Sequence, residues 1–194
     1  MKFIIPALVL ILVSCHSMAG DIEEPEWHLV DTLDGVELRH YSPSVQARTT
    51  LDGSGETSVG FRRLAGFIFG GNDRSEQIAM TAPVQETLQD PLPTMAFTMP
   101  RVYQIQDLPA PEDDQVVIVD VPARTLAVIR FSGWATRGRI ARNSKQLFET
   151  LEQYGIEPVS GTTLNQYNPP WTPPFLRRNE ISVEIASDSL AAAN

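Results

Sequence analysis

Apolar and polar positions alternate along 27–31 and 36–41 on either side of Asp34-Gly35, a pair suited to the positive φ angles of a tight turn, which predicts a β-hairpin. A third strand is expected over 45–51, and Gly53-Ser54-Gly55 then breaks the pattern. The spacing next changes to threes and fours. Phe61, Leu64, Ala65 and Ile68 make one apolar face of a helix over 57–69 that stops at Gly70-Gly71. Strands over 81–88 and 94–99 follow, and then the order returns: strands over 116–121 and 123–131, Gly133, a helix over 137–154, and strands over 162–167 and 180–186. On the second helix Ile140, Ser144, Leu147, Phe148, Leu151 and Tyr154 share a face, and Gly155 stands where a left-handed cap closes a helix.

Two strand–strand–helix–strand–strand units about 80 residues apart predict an α+β fold, a duplicated pseudo-twofold unit in which two α-helices cover a curved antiparallel β-sheet. A groove between sheet and helices is the expected seat of a small apolar ligand. The proline-rich acidic stretch 108–114 joins the halves as a solvated loop, and 168–174, with four prolines around Trp171, crosses the surface before the last strand. The folded domain is placed at 27–187, after a polar tether over 15–26 and before a tail over 188–194.

The N-terminus changes the picture of where the domain works. Residues 1–14 carry Lys2 and then an apolar run too short to span a bilayer of about 30 Å, the form of a secretory leader. Leu12-Val13-Ser14-Cys15 looks like the bacterial lipoprotein box, which puts a membrane lipid anchor on Cys15; cleavage after Ser17-Met18-Ala19 is the alternative and discards that cysteine. Both readings export the protein. With His16 after the cysteine, a lipidated chain is expected in the cell envelope, on the outer membrane facing the periplasm.

Charge and cysteine usage remove several classes of chemistry. Lys plus Arg total 15 against 24 Asp plus Glu, a formal charge of -9, so no phosphate-tracking nucleic-acid binder is expected. One cysteine cannot make an intrachain disulfide, a Cys-rich zinc site or a Cys-bound iron–sulfur cluster. The chain has no Gly-x-Ser-x-Gly elbow, phosphate-binding loop or His-Glu-x-x-His helix, and the expectation is binding without catalysis.

Six blocks in order resemble the SOUL haem-binding proteins: Glu37-Leu38-Arg39-His40-Tyr41; Phe61-Arg62-Arg63-Leu64 with Phe67-Ile68-Phe69-Gly70-Gly71-Asn72; Met80-Thr81-Ala82-Pro83-Val84; Phe131-Ser132-Gly133; Tyr167-Asn168-Pro169-Pro170-Trp171; and Arg177-Arg178-Asn179-Glu180. The resemblance implies a twisted, barrel-like antiparallel sheet with two helices and non-covalent binding of haem or a related porphyrin. It also implies His40 as an iron ligand and the first helix as the wall of the haem cleft, with Phe61, Leu64, Ala65 and Ile68 against the ring and Arg63, or Arg62, at the propionates. Alternation puts His40 on the apolar side of its strand with Val36 and Leu38, where a histidine satisfied by a backbone carbonyl or carboxylate is an equal alternative. Core packing is the better account of at least half of the helix residues, and a solvated helix face explains Arg62 and Arg63 equally well. Basic residues that some relatives place before the helix and after the Pro-Pro pair are Ser58 and Thr172 here. The blocks 80–84 and 177–180 read as architectural. A binding module for another amphipathic molecule, or an envelope module that recruits a protein, are the alternatives to haem.

Overall fold

The computed structural model describes residues 22–51, 57–88 and 92–186; the leader, Cys15, most of the tether and the tail lie outside them. The expected hairpin forms from β1 (Trp27–Leu33) and β2 (Val36–Tyr41), with Asp34 and Gly35 at φ 46° and 85°. The remaining elements are β3 (Ser44–Thr50), α1 (Thr57–Ile68), β4 (Val84–Thr87), β5 (Thr94–Thr98), β6 (Val117–Val121), β7 (Arg124–Phe131), α2 (Arg137–Gln153), β8 (Thr163–Gln166) and β9 (Asn179–Ile185). β4 is shorter than its apolar pattern, because Pro83 has no N–H for a ladder and the Ala82 N–H goes to the Glu23 carbonyl at 2.9 Å.

All the strands join one antiparallel sheet in the order β1-β2-β7-β9-β8-β4-β5-β3-β6. About its β8–β4 centre the order is symmetric: β9 answers β5, β7 answers β3 and β2 answers β6. The duplication is therefore in the backbone, with one addition to the sequence reading. Each half lends its first strand to the other, β2 pairing with β7 and β6 with β3.

That exchange fixes the curvature. Ser42 and Pro43 alone join β2 to β3, six places away in the sheet, and Pro122 and Ala123 alone join β6 to β7, again six places away. A flat sheet would separate such strands by about 29 Å, whereas three residue steps reach about 11 Å. The sheet must curl back on itself, and it forms a half-barrel.

Two apolar cores lie on the helix-covered face. Leu64, Phe67 and Ile68 of α1 pack on Val45, Ala47, Met95 and Phe97, while Leu147 and Leu151 of α2 pack on Leu38, Ala127, Ile181 and Val183. Thr136 caps α2, its Oγ1 accepting from the Arg139 N–H, and Gly155 closes the helix at φ 66° with the Ile156 N–H on the Leu151 carbonyl. Phe148 and Tyr154 of the expected buried face are exposed. Phe148 lies one step round the helix from Leu147, and the Tyr154 hydroxyl reaches Asp34 at 3.3 Å instead of the core.

Candidate functional site

Strand alternation sends the polar partners of these core residues to the opposite face, which the curl encloses. Gln46, Asn165 and Ser182 are buried there without any helix above them. They form a chain of hydrogen bonds across the sheet: Arg48 Nε to Gln46 Oε1 at 2.9 Å, Gln46 Nε2 to Gln85 Oε1 at 2.6 Å, Gln85 Nε2 to Asn165 Oδ1 at 3.1 Å, and Asn165 Nδ2 to Ser182 Oγ at 2.9 Å. Ala96 of β5, between Arg48 and Gln85 in register, is small enough to let the chain pass.

The charged end of this interior is a network around Glu180, which is 1% exposed. Arg39, 3% exposed, donates to both Glu180 oxygens at 2.9 and 3.3 Å, to Glu37 at 2.7 Å and to the Tyr41 hydroxyl at 3.3 Å, and lies 4.2 Å over the Trp27 ring. Arg178 Nε and the Tyr167 hydroxyl also donate to Glu180, at 2.9 and 2.8 Å. Burial pushes the Glu180 carboxyl up, but the hydrogen bonds and charge of Arg39, then Arg178 and Tyr167, hold it below its ordinary value. Burial, followed by the Glu180 charge, pushes the Tyr167 phenol up. The block 177–180 is thus part of the frame, as are Asn179 Nδ2 on the Gly133 carbonyl and Arg177 Nε on the Thr172 carbonyl, both at 2.9 Å.

His40 stands on the helix-covered face of β2, in the half that α2 covers. It is half-buried, and its Nδ1 is 3.2 Å from Thr125 Oγ1, a hydroxyl rather than the carbonyl or carboxylate expected. The Nε2 lies on the far side of the ring from that bond. Across the strand pair is His28, its ring centre 5.0 Å away.

α1 belongs to the other half, over β3 and β5. Its closeness to the sheet depends on Gly60, where a Cβ would lie 2.5 Å from Leu51 Cδ2. Leu64 and Ile68 are fully buried beneath the helix and belong to the core. Phe61 is 43% exposed, edge-on to Phe97 at 5.4 Å, Ala65 is half-buried, and Phe69, just past the helix end, is 64% exposed. These three recur every four residues and make an apolar stripe on the outer side, next to exposed Gly66 and Arg62. Arg63 is half-buried and donates to the Thr50 carbonyl at 3.3 Å. The structure therefore groups Phe61 and Ala65 with Phe69, which the sequence reading omitted although its spacing continues theirs. It does not bring His40 to them.

A cavity of about 580 Å³ opens where the 42–43 and 122–123 links meet the segment 23–26. Its walls carry Glu23, Glu24, Glu26 and Asp120 against one guanidinium, Arg101. A haem brings two carboxylates of its own, so this cavity does not fit it. The α1 stripe does: it offers aromatic edges, small residues that admit a flat ring, and arginines within a turn for carboxylates.

Comparison with known proteins agrees with the fold and the motifs. Residues 22–184 match the SOUL heme-binding protein family. Heme-binding protein 2 of Mus musculus is 27% identical over 191 residues, spanning 84% of this chain and 90% of that protein. Heme-binding protein 1 of Xenopus laevis is 29% identical over 181 residues, spanning 86% and 94%. Among solved structures, the EcmrR C-terminal domain superposes with a TM-score of 0.60 at 12% identity, over 78% of this chain and 96% of that one, a likeness of fold alone. With its motifs, its duplicated sheet and a family match from the first strand to the last, the chain belongs to the SOUL heme-binding protein family.

Proposed function

We propose that this is an exported, lipid-anchored protein that binds haem or a related tetrapyrrole for transfer or storage, without catalysis. The observation that carries the reading is the solvent-facing stripe Phe61, Ala65 and Phe69 on α1, an apolar surface on a chain whose family binds haem. Phe61 and Phe69 would hold the edges of the ring, and Arg62 or Arg63 its carboxylates. Haem supplies the redox-active iron and the visible absorbance. The iron lies at the centre of the ring, so a haem held on α1 is out of reach of His40 in the other half of the sheet, and ring binding by α1 and iron ligation by His40 are alternatives. Haemin titration by absorbance checks this. Phe61→Ala with Phe69→Ala should weaken saturable binding about tenfold, the loss of two aromatic contacts of about 0.5–1.5 kcal/mol each. His40→Ala should leave affinity within about twofold. Affinity unchanged by the phenylalanine pair and abolished by His40→Ala would move the site to β2.

The envelope assignment rests on the leader and Leu12-Val13-Ser14-Cys15, outside the described residues. Growth with labelled palmitate should label the wild-type protein and not Cys15→Ser; equal labelling of both, or of neither, would sink the anchor.

A further inference from the structure

At the end of the sheet where β7 finishes and β9 begins, four large apolar side chains stand in solvent. Trp134, just before α2, and Trp171, Phe175 and Leu176, in the loop between β8 and β9, are between 52% and 82% exposed. A frame of bonds holds them together. The Gly133 N–H donates to the Pro174 carbonyl at 2.8 Å. Buried Arg177 donates from Nε to the Thr172 carbonyl at 2.9 Å and from Nη2 to the Pro170 carbonyl, and its guanidinium lies 3.9 Å over the Trp134 ring. Prolines at 169, 170, 173 and 174 fix φ along the same loop. An apolar patch held outward by its own frame marks an interaction surface.

Charge says what that surface meets. In a chain of formal charge -9, residues 121–148 hold six Arg or Lys and no Asp or Glu. Arg137 and Arg139 in the first turn of α2 and Arg142 in the next are exposed, and none is in an ion pair among the described residues. Indole and phenyl rings beside arginines suit the boundary of an anionic bilayer, where the rings enter between headgroups and the cations meet phosphates.

The chain's own attachment points the same way. Glu24 pairs at 2.9 Å with Arg178, two residues after Leu176, so the N-terminal segment leaves the domain beside this loop. From Cys15 to Glu24 the nine residue steps span at most about 32 Å. A lipid on Cys15 therefore keeps the patch within that distance of a membrane.

We propose that Trp134, Trp171, Phe175 and Leu176, with the basic first turns of α2, form a docking surface that seats the domain on an anionic phospholipid bilayer. The tether argument rests on the anchor reading of Cys15, whereas the chemistry of the surface does not.

Co-sedimentation with vesicles tests the surface without the anchor, using the chain that begins at Gly20, the product of the alternative cleavage, which contains every strand and both cores. It should bind vesicles of phosphatidylcholine and phosphatidylglycerol mixed equally, about tenfold more tightly than phosphatidylcholine alone. Brominated lipid should quench its tryptophan fluorescence. Trp171→Ser with Phe175→Ser should weaken binding about tenfold with an unchanged thermal midpoint, because both side chains are exposed. Arg137→Gln with Arg142→Gln should weaken it about tenfold on the mixed vesicles alone. Haemin affinity should not move in the serine pair. No binding to either vesicle would overturn the proposal and leave the patch to a protein partner. Equal binding to both vesicles, or binding that the serine pair leaves intact, would overturn it too, and a drop in haemin affinity with vesicle binding intact would give the loop to haem. Since this chain lacks Cys15, its failure leaves the anchor standing, and failed palmitate labelling leaves the docking surface standing.

Discussion

Glu180→Gln should destabilise the domain by about 3–5 kcal/mol, because it removes the one buried carboxylate that neutralises two inward-facing arginines. Arg39 keeps only the half-exposed Glu37 as a charged partner, and Tyr167 loses an ionised acceptor. At about 2–4 °C per kcal/mol for a domain of this size, the thermal midpoint should fall by roughly 10 °C. A loss below about 1 kcal/mol in urea denaturation would mean that solvent reaches the network. The pH dependence follows from the same groups. Glu180 titrates lower in the folded chain than in the unfolded one, so its contribution is present above the unfolded value and is lost as pH falls through the folded value. Tyr41 and Tyr167 titrate higher when folded, so stability falls as pH rises past their ordinary value of 10.0, with a limiting slope of about 1.4 kcal/mol per pH unit for each. In Glu180→Gln the acid limb should flatten.

Asn72→Ala should cost about 3 kcal/mol, read from the same urea curves, since each buried group left without its partner costs about 1–3 kcal/mol. The Asn72 side chain is fully buried. Its Nδ2 donates to the Phe67 and Glu76 carbonyls at 2.9 and 2.8 Å, and its Oδ1 accepts from the N–H groups of Arg74 and Glu76 at 3.2 and 3.0 Å. Phe67 O is one of the last carbonyls of α1, which no further helical turn can satisfy. The asparagine thus does at the end of α1 what a cap does, and ties the helix to the turn over 72–76. Asn72→Asp should cost at least as much, because it sets a carboxylate oxygen against the buried Phe67 and Glu76 carbonyls with no donor between them. Equal stability of the alanine variant and wild type would show that water replaces all four bonds.

Local signals carried most of the fold. Asp34-Gly35 located the hairpin, Gly155 the end of α2, and the four-residue spacings both helices. The repeat of strand and helix pattern gave the duplication. The strand exchange was not legible, because nothing near β2 encodes β7 as its partner some 85 residues on. The polar interior was hidden for the same reason. Arg39, Gln46 and Asn165 alternate with apolar neighbours and read as a solvated face until the curl encloses them. For the site, alternation placed His40 correctly on the side of Val36 and Leu38. The helical period found the apolar arc of α1, but it could not divide that arc into the part pressed on the sheet, Leu64 and Ile68, and the part left outside, Phe61, which Phe69 continues.

The position of β9 governs when such a chain becomes a protein. The last strand in sequence lies between β7 and β8 in the body of the sheet, and β2, among the first, waits for β7. The two halves differ in this: β4-β5-β3-β6, with α1 and its own apolar core, is a continuous run of paired strands present once residue 121 has been made, whereas the other half lacks its inner strand until β9 follows. Completion of the β2-β7-β9-β8 half is deferred until about residue 185 has emerged.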